Sequence, residues 1–191
     1  MNRSCLLRAA ALLGAALLTA ACGGAIEDPD SPVLRCDDSP PARDVVALRC
    51  GSIVGSDTFA LEAVIGVPTT ATDIAGFSFH VVFDPALLEF VPDSEQQGNL
   101  LNQEGDSVTL LAEPFASDPG RLVVGVFHLG MTTGVQGVTG RDIIMRFHLR
   151  TRTFSTFGPL LPQLQNGTAS DNSGDAISGI SFRDQMLLYR D

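Results

Sequence analysis

The segment Gly76 to Phe83, GFSFHVVF, places Phe77, Phe79, Val81 and Phe83 on one parity and Ser78, His80 and Val82 on the other. Successive side chains of a strand point to opposite faces, so this period of two predicts a β-strand with one aromatic-rich face. The interior between two packed sheets requires such a face, and each buried Phe stabilises by roughly 1.5–3 kcal/mol. A sugar-stacking strip would more naturally use exposed Trp or Tyr, whose polar edges tolerate water. The chain has no Trp, and Tyr189 is its one tyrosine.

The same kind of pattern recurs along the chain. VVALRC, TFALEAVIGV, VTLLAEPF, RLVVGVFHL, DIIMRFHLRTRT and QMLLY read as short strands, separated by turn sequences such as SDPG and SDNSGD. No convincing helical period of ten or more residues interrupts them. Strands at this spacing predict an all-β sandwich. PALLEFV, after Asp84, suits a brief turn of helix, since proline fits the first helical position.

The N-terminus has a different character. MNRSCLLR carries Arg3 and Arg8, the apolar run AAALLGAALL follows, and TAAC ends at Cys22. A basic start, a short apolar core and small residues predict a secretory signal over residues 1–21, too short for a membrane span. Cys22 directly after Ala20-Ala21 resembles the bacterial lipoprotein box, in which that cysteine is lipidated, although Thr19 stands where the box prefers Leu. Ordinary cleavage near Ala21 is the alternative. Either way the protein is expected to be exported: lipid-anchored to a bacterial membrane or cell surface, otherwise periplasmic or secreted. Residues 22–43, rich in Pro and Asp, are too polar to bury a face and read as a tether. The folded domain is expected over residues 44–191. Cys36 and Cys50 then form an even pair in an oxidising compartment, which predicts a disulfide worth ~3 kcal/mol. A metal-binding thiol pair is the alternative, but the other zinc ligands are missing.

Charge narrows the partners. The formal net charge is −10, and all twelve Lys+Arg cations are arginines. That balance argues against nucleic acid, whose phosphates are held by cationic side chains. No G-x-S-x-G or H-E-x-x-H motif is present, and nothing marks Glu62, Glu89 or Glu113 as a catalytic carboxylate pair. Asp171, Ser173 and Asp175 have the spacing that opens a calcium loop. Ala176 at the sixth position and Phe182 at the twelfth exclude an EF-hand, which leaves a looser calcium contact at Asp171 and Asp175 or a plain turn. No other cofactor is expected.

DTFALEAVIGVPTTATDIAGFSFHVVFDPALLEFV, with its strand-ending FDPALLEF, resembles the front half of a cohesin domain. GRLVVGVFHLG, GVTGRDIIMRFHLRTRT and NGTASDNSGDAI resemble that family's middle strand, its Gly-led penultimate strand and its closing Asp/Gly-rich loop. The resemblance spans roughly residues 44–191. It implies a jelly-roll β-sandwich of about nine strands, related to carbohydrate-binding modules. It also implies a non-catalytic role in protein binding, with dockerin modules of polysaccharide-degrading enzymes as the partners. If the strands carrying His80 and His148 neighbour each other, as the resemblance suggests, Ser78, His80, Val82, Arg146 and His148 would form one outward partner-binding face. Two histidines flanked by Arg146 and Arg150 do not make a metal site. The alternative function is a carbohydrate-binding module of the same fold, acting in polysaccharide attachment or breakdown.

Overall fold

The alternation at Gly76 becomes a central strand. The computed structural model describes residues 34–36, 39–54, 57–66, 74–102, 108–128, 142–152, 160–183 and 188–190. The expected signal segment and Cys22 lie outside them. Twelve strands occur among the described residues: β1 (Leu34–Cys36), β2 (Val45–Ile53), β3 (Thr58–Ile65), β4 (Gly76–Val82), β5 (Leu88–Phe90), β6 (Gln96–Gln97), β7 (Val108–Phe115), β8 (Asp118–His128), β9 (Asp142–Thr151), β10 (Gln163–Ser170), β11 (Ser181–Phe182) and β12 (Leu188–Arg190). They make a four-stranded sheet, β10-β4-β8-β7, and a six-stranded sheet, β11-β2-β3-β9-β5, with β6 also paired to β9. β1 and β12 form a separate antiparallel pair, so a strand lies inside the segment expected to be tether.

One core lies between the two larger sheets. Phe77, Phe79, Val81 and Phe83 all point into it, as their parity predicts, and meet Phe59, Leu61, Met145, Phe147 and Leu149 from the opposite sheet. Phe79 on β4 also packs 6.2 Å from Phe182 on β11, ring centroid to centroid. The sandwich is therefore the all-β architecture expected, closed by aliphatic and aromatic side chains from both layers.

Asp84-Pro85 explains how the chain leaves β4. Leu88 N–H donates to the Asp84 carbonyl at 2.9 Å, and the Asp84 carboxylate accepts from Ala86 N–H at 2.8 Å. Asp84 closes a hydrogen-bonded turn that opens with Pro85, and β5 follows at once.

Three features depart from the sequence reading. NGTAS, expected in a closing loop, forms the greater part of β10, which pairs antiparallel with β4. Its pattern is masked because a bulge between Gln165 and Thr168 shifts the register, so only Leu164 and Ala169 face the core. On β9, a bulge opposite Ala63 and Val64 turns Ile144 inward beside Met145. Ile143, which strict alternation with Met145, Phe147 and Leu149 would turn inward, is buried outside the core cluster. Finally, β4 neighbours β10 and β8, whereas β9 neighbours β3 and β5.

Candidate functional site

The last of these features divides the five residues expected to share a face. Ser78, His80 and Val82 lie on β4, on the outer side of the four-stranded sheet. Arg146 and His148 lie on β9, on the outer side of the six-stranded sheet. The structure brings together the first three and, separately, the last two. The physical reason is β10: it takes the place beside β4 that the reading had given to β9.

The two outer faces differ in chemistry. On the six-stranded side, Arg49, Glu62 and Arg146 stand in register across β2, β3 and β9. Glu62 accepts from Arg49 Nη2 at 2.6 Å through one oxygen and from Arg146 Nε at 2.6 Å through the other. Burial alone raises the Glu62 carboxyl, but the hydrogen bonds and positive charges of Arg146 and Arg49 outweigh it and hold the group below 4.5. Next to this rung, Glu89 pairs with Arg150 and Arg152. His148 adds a backbone contact, its N–H donating to Ser94 Oγ at 2.9 Å. This face is laced with ion pairs, and its acids are committed. A carboxyl held low is suited to charge pairing and unsuited to the proton donation that glycoside hydrolysis demands.

The four-stranded side is more apolar. Leu111 on β7 and Phe127 on β8 are exposed, at 46% and 38%, and half-buried Val123 lies between Glu113 and His80 in the β7–β8–β4 register. Polar groups border this strip. His80 Nδ1 faces both Arg121 Nη1 at 3.3 Å and Asn166 Nδ2 at 3.2 Å, two donors, so in this arrangement it accepts and the proton of the neutral ring sits on Nε2. Arg121 Nε in turn donates to Asp118 at 3.0 Å. Asn166 reaches His80 from the β10 bulge, where it takes a positive φ of 52°. Sequence reasoning found Ser78, His80 and Val82 but missed Leu111, Arg121, Phe127 and Asn166. Outward parity on VTLLAEPF and RLVVGVFHL was available as a signal for the first three. Asn166 depends on the bulge.

Phe127 is unusual in its support. A Cβ on Gly76 would lie 2.3 Å from its ring, and one on Gly125 would lie 2.8 Å from it. The ring therefore lies down across two glycines on adjacent strands, leaving its other side to solvent. Beside it opens a cavity of about 350 Å³, bordered by Ser78, Thr168, Ser170, Asp171 and Asn172.

The loop expected as a weak calcium contact is closed by its own backbone. Asp171 Oδ1 accepts from Ser173 N–H and Asp175 N–H, each at 2.9 Å, which is an Asx-type turn. Among the described residues no three His, Cys, Asp or Glu side chains gather as metal ligands. Cys50 is disulfide-bonded, while the Cys36 side chain lies outside the described residues.

Two facing sheets, antiparallel except where β11 joins β2, define a β-sandwich. More particularly, the domain has the cohesin fold. The type II cohesin A11 of Bacteroides cellulosolvens matches with a TM-score of 0.56 at 16% identity, over 76% of this chain and 98% of that one. A type II cohesin domain from the cellulosome of Acetivibrio cellulolyticus matches with a TM-score of 0.56 at 14% identity, over 76% and 94%. The sixth cohesin of scaffoldin B from the same organism, solved in complex with a Cel5 dockerin mutant, matches with a TM-score of 0.53 at 14% identity, over 73% and 94%. No protein-family model matches the chain, and no curated protein matches it in sequence.

Proposed function

We propose that this protein is an exported, non-catalytic binding module that docks a protein partner on the outer face of its four-stranded sheet. The observation that carries the reading is the contrast between the two faces. One surface is closed by paired charges, and the other exposes Leu111 and Phe127 beside half-buried Val123. An exposed apolar centre with a polar rim is the anatomy of a protein interface. His80, Arg121 and Asn166 supply that rim, with Ser78 and Val82 beside them; Arg146 and His148 belong to the opposite face and take no part. The partner is dockerin-like, in keeping with the fold and with the dockerin complex of the scaffoldin B cohesin. Cleavage after residue 21 and lipidation of Cys22 would tether the module to a bacterial membrane, a placement suited to holding enzymes of polysaccharide catabolism at the cell surface.

The test is capture of exported proteins from the source organism on the immobilised protein, with and without calcium. Calcium-dependent retention of a protein with a duplicated Asp-rich segment supports the reading. Undiminished retention by a folded Leu111→Asp variant places the interface elsewhere.

A further inference from the structure

We propose that the cavity beside Phe127 is a subsite for one pyranose ring of a neutral oligosaccharide. Phe127 provides a platform: its ring lies over Gly76 and Gly125 and turns its free side to the cavity end of the sheet. An aromatic face packs well against the C–H face of a sugar whose hydroxyls are equatorial, because such a ring exposes apolar hydrogens above and below its plane. Around the platform stand groups that suit vicinal hydroxyls. Ser78, Thr168 and Ser170 each both donate and accept, the Asn172 amide does the same, and the Asp171 carboxylate accepts. A volume of about 350 Å³ lies at the small end of the ligand-pocket range of roughly 300–1,000 Å³ and suits a single ring with its substituents.

Charge selects a neutral sugar. Asp171 lines the cavity and the chain carries a net charge of −10, so a uronate would be repelled. A small cation is not favoured, because Asp171 Oδ1 is already engaged by the Ser173 and Asp175 amides. The absence of Trp had argued against sugar stacking. The structure revises that argument, since a phenylalanine held flat on a glycine bed supplies the same platform. The site does not depend on protein docking, although Phe127 serves both surfaces.

The experiment is an amide-resolved NMR titration of the purified protein with cellotetraose and with xylotetraose, using tetragalacturonate as the anionic control. Saturable shifts at Ser78, Phe127 and Ser170–Asn172, with a Kd on the order of 1 mM, are expected for the neutral sugars. Phe127→Ala should weaken binding about tenfold or more. Thr168→Val, which keeps the side-chain shape and removes the hydroxyl, should weaken it severalfold and is the second variant if Phe127→Ala does not fold. Leu111→Asp should leave sugar binding unchanged while removing protein capture, so the two readings fail separately. The proposal is overturned if neither neutral tetrasaccharide binds saturably, if tetragalacturonate binds more tightly, or if neither folded variant loses affinity.

Discussion

Glu62 shows how much a single side chain can be fixed by its neighbours. It is buried between Arg49 and Arg146, one on each adjacent strand, and satisfies one guanidinium with each oxygen. Removing its charge would leave two arginines facing one another across a strand. Glu62→Gln is therefore expected to cost about 3 kcal/mol in a denaturant-unfolding measurement. Its pH dependence follows from the lowered folded-state pKa. In the unfolded chain the group titrates near the ordinary glutamate value, so its stabilisation is fully present above that value and is lost as pH falls through the lower, folded one. Thermal melts of the parent should fall below about pH 4.5, with a shallower decline in Glu62→Gln. Nothing in the sequence singled out Glu62 from Glu89 or Glu113, because what distinguishes it is which strands lie on either side.

At the scale of elements, strands with a clear apolar set were legible even where a bulge interrupts them, as in β9, and the polar β10 was not. β4 matches its expected segment almost to the residue, since its inward and outward sets alternate without a slip, and β7 matches VTLLAEPF although its register shifts at Pro114 and Phe115. β10 escaped: Gln163, Gln165, Asn166 and Thr168 make it polar, and its bulge breaks the alternation between Leu164 and Ala169. The bulge also has a packing requirement. A Cβ at Gly167 would lie 2.1 Å from the Phe182 ring, which itself packs on Phe79. Gly167→Ala should thus displace Phe182 and destabilise by roughly 1–3 kcal/mol, read as a lower midpoint in chemical denaturation. Phe79→Ala, at the other end of the same stack, should cost about 3–5 kcal/mol by opening a cavity in the core. An Asp84→Ala substitution removes the side-chain hydrogen bond of the turn after β4, at a cost of about 1 kcal/mol.

For the whole molecule, the important quantity is which strands became neighbours. His80 and His148 have the same outward parity in sequence, yet they stand on opposite faces of the sandwich because β4 and β9 belong to different sheets. A double substitution of the two histidines consequently probes two surfaces, whereas His80→Ala with Leu111→Asp probes one. That pair is expected to abolish partner capture without lowering the thermal midpoint by more than a few degrees, since both residues lie outside the core cluster. Cys50 is disulfide-bonded, and Cys36 is the partner we propose; Cys50→Ser should cost roughly 3 kcal/mol under oxidising conditions and nothing under reducing ones. Peptide mapping without reduction would identify the partner directly.

Local chemistry in the sequence was enough to determine the class of object. Alternating parity, turn residues and aromatic content depend only on near neighbours along the chain, and they specified an all-β sandwich with the aromatic face of β4 turned inward. Only the tertiary structure decided where a ligand or partner would meet it. The ion-paired face and the Phe127 platform each combine residues from strands far apart in sequence, and strand order is set by long-range packing that no local period reveals.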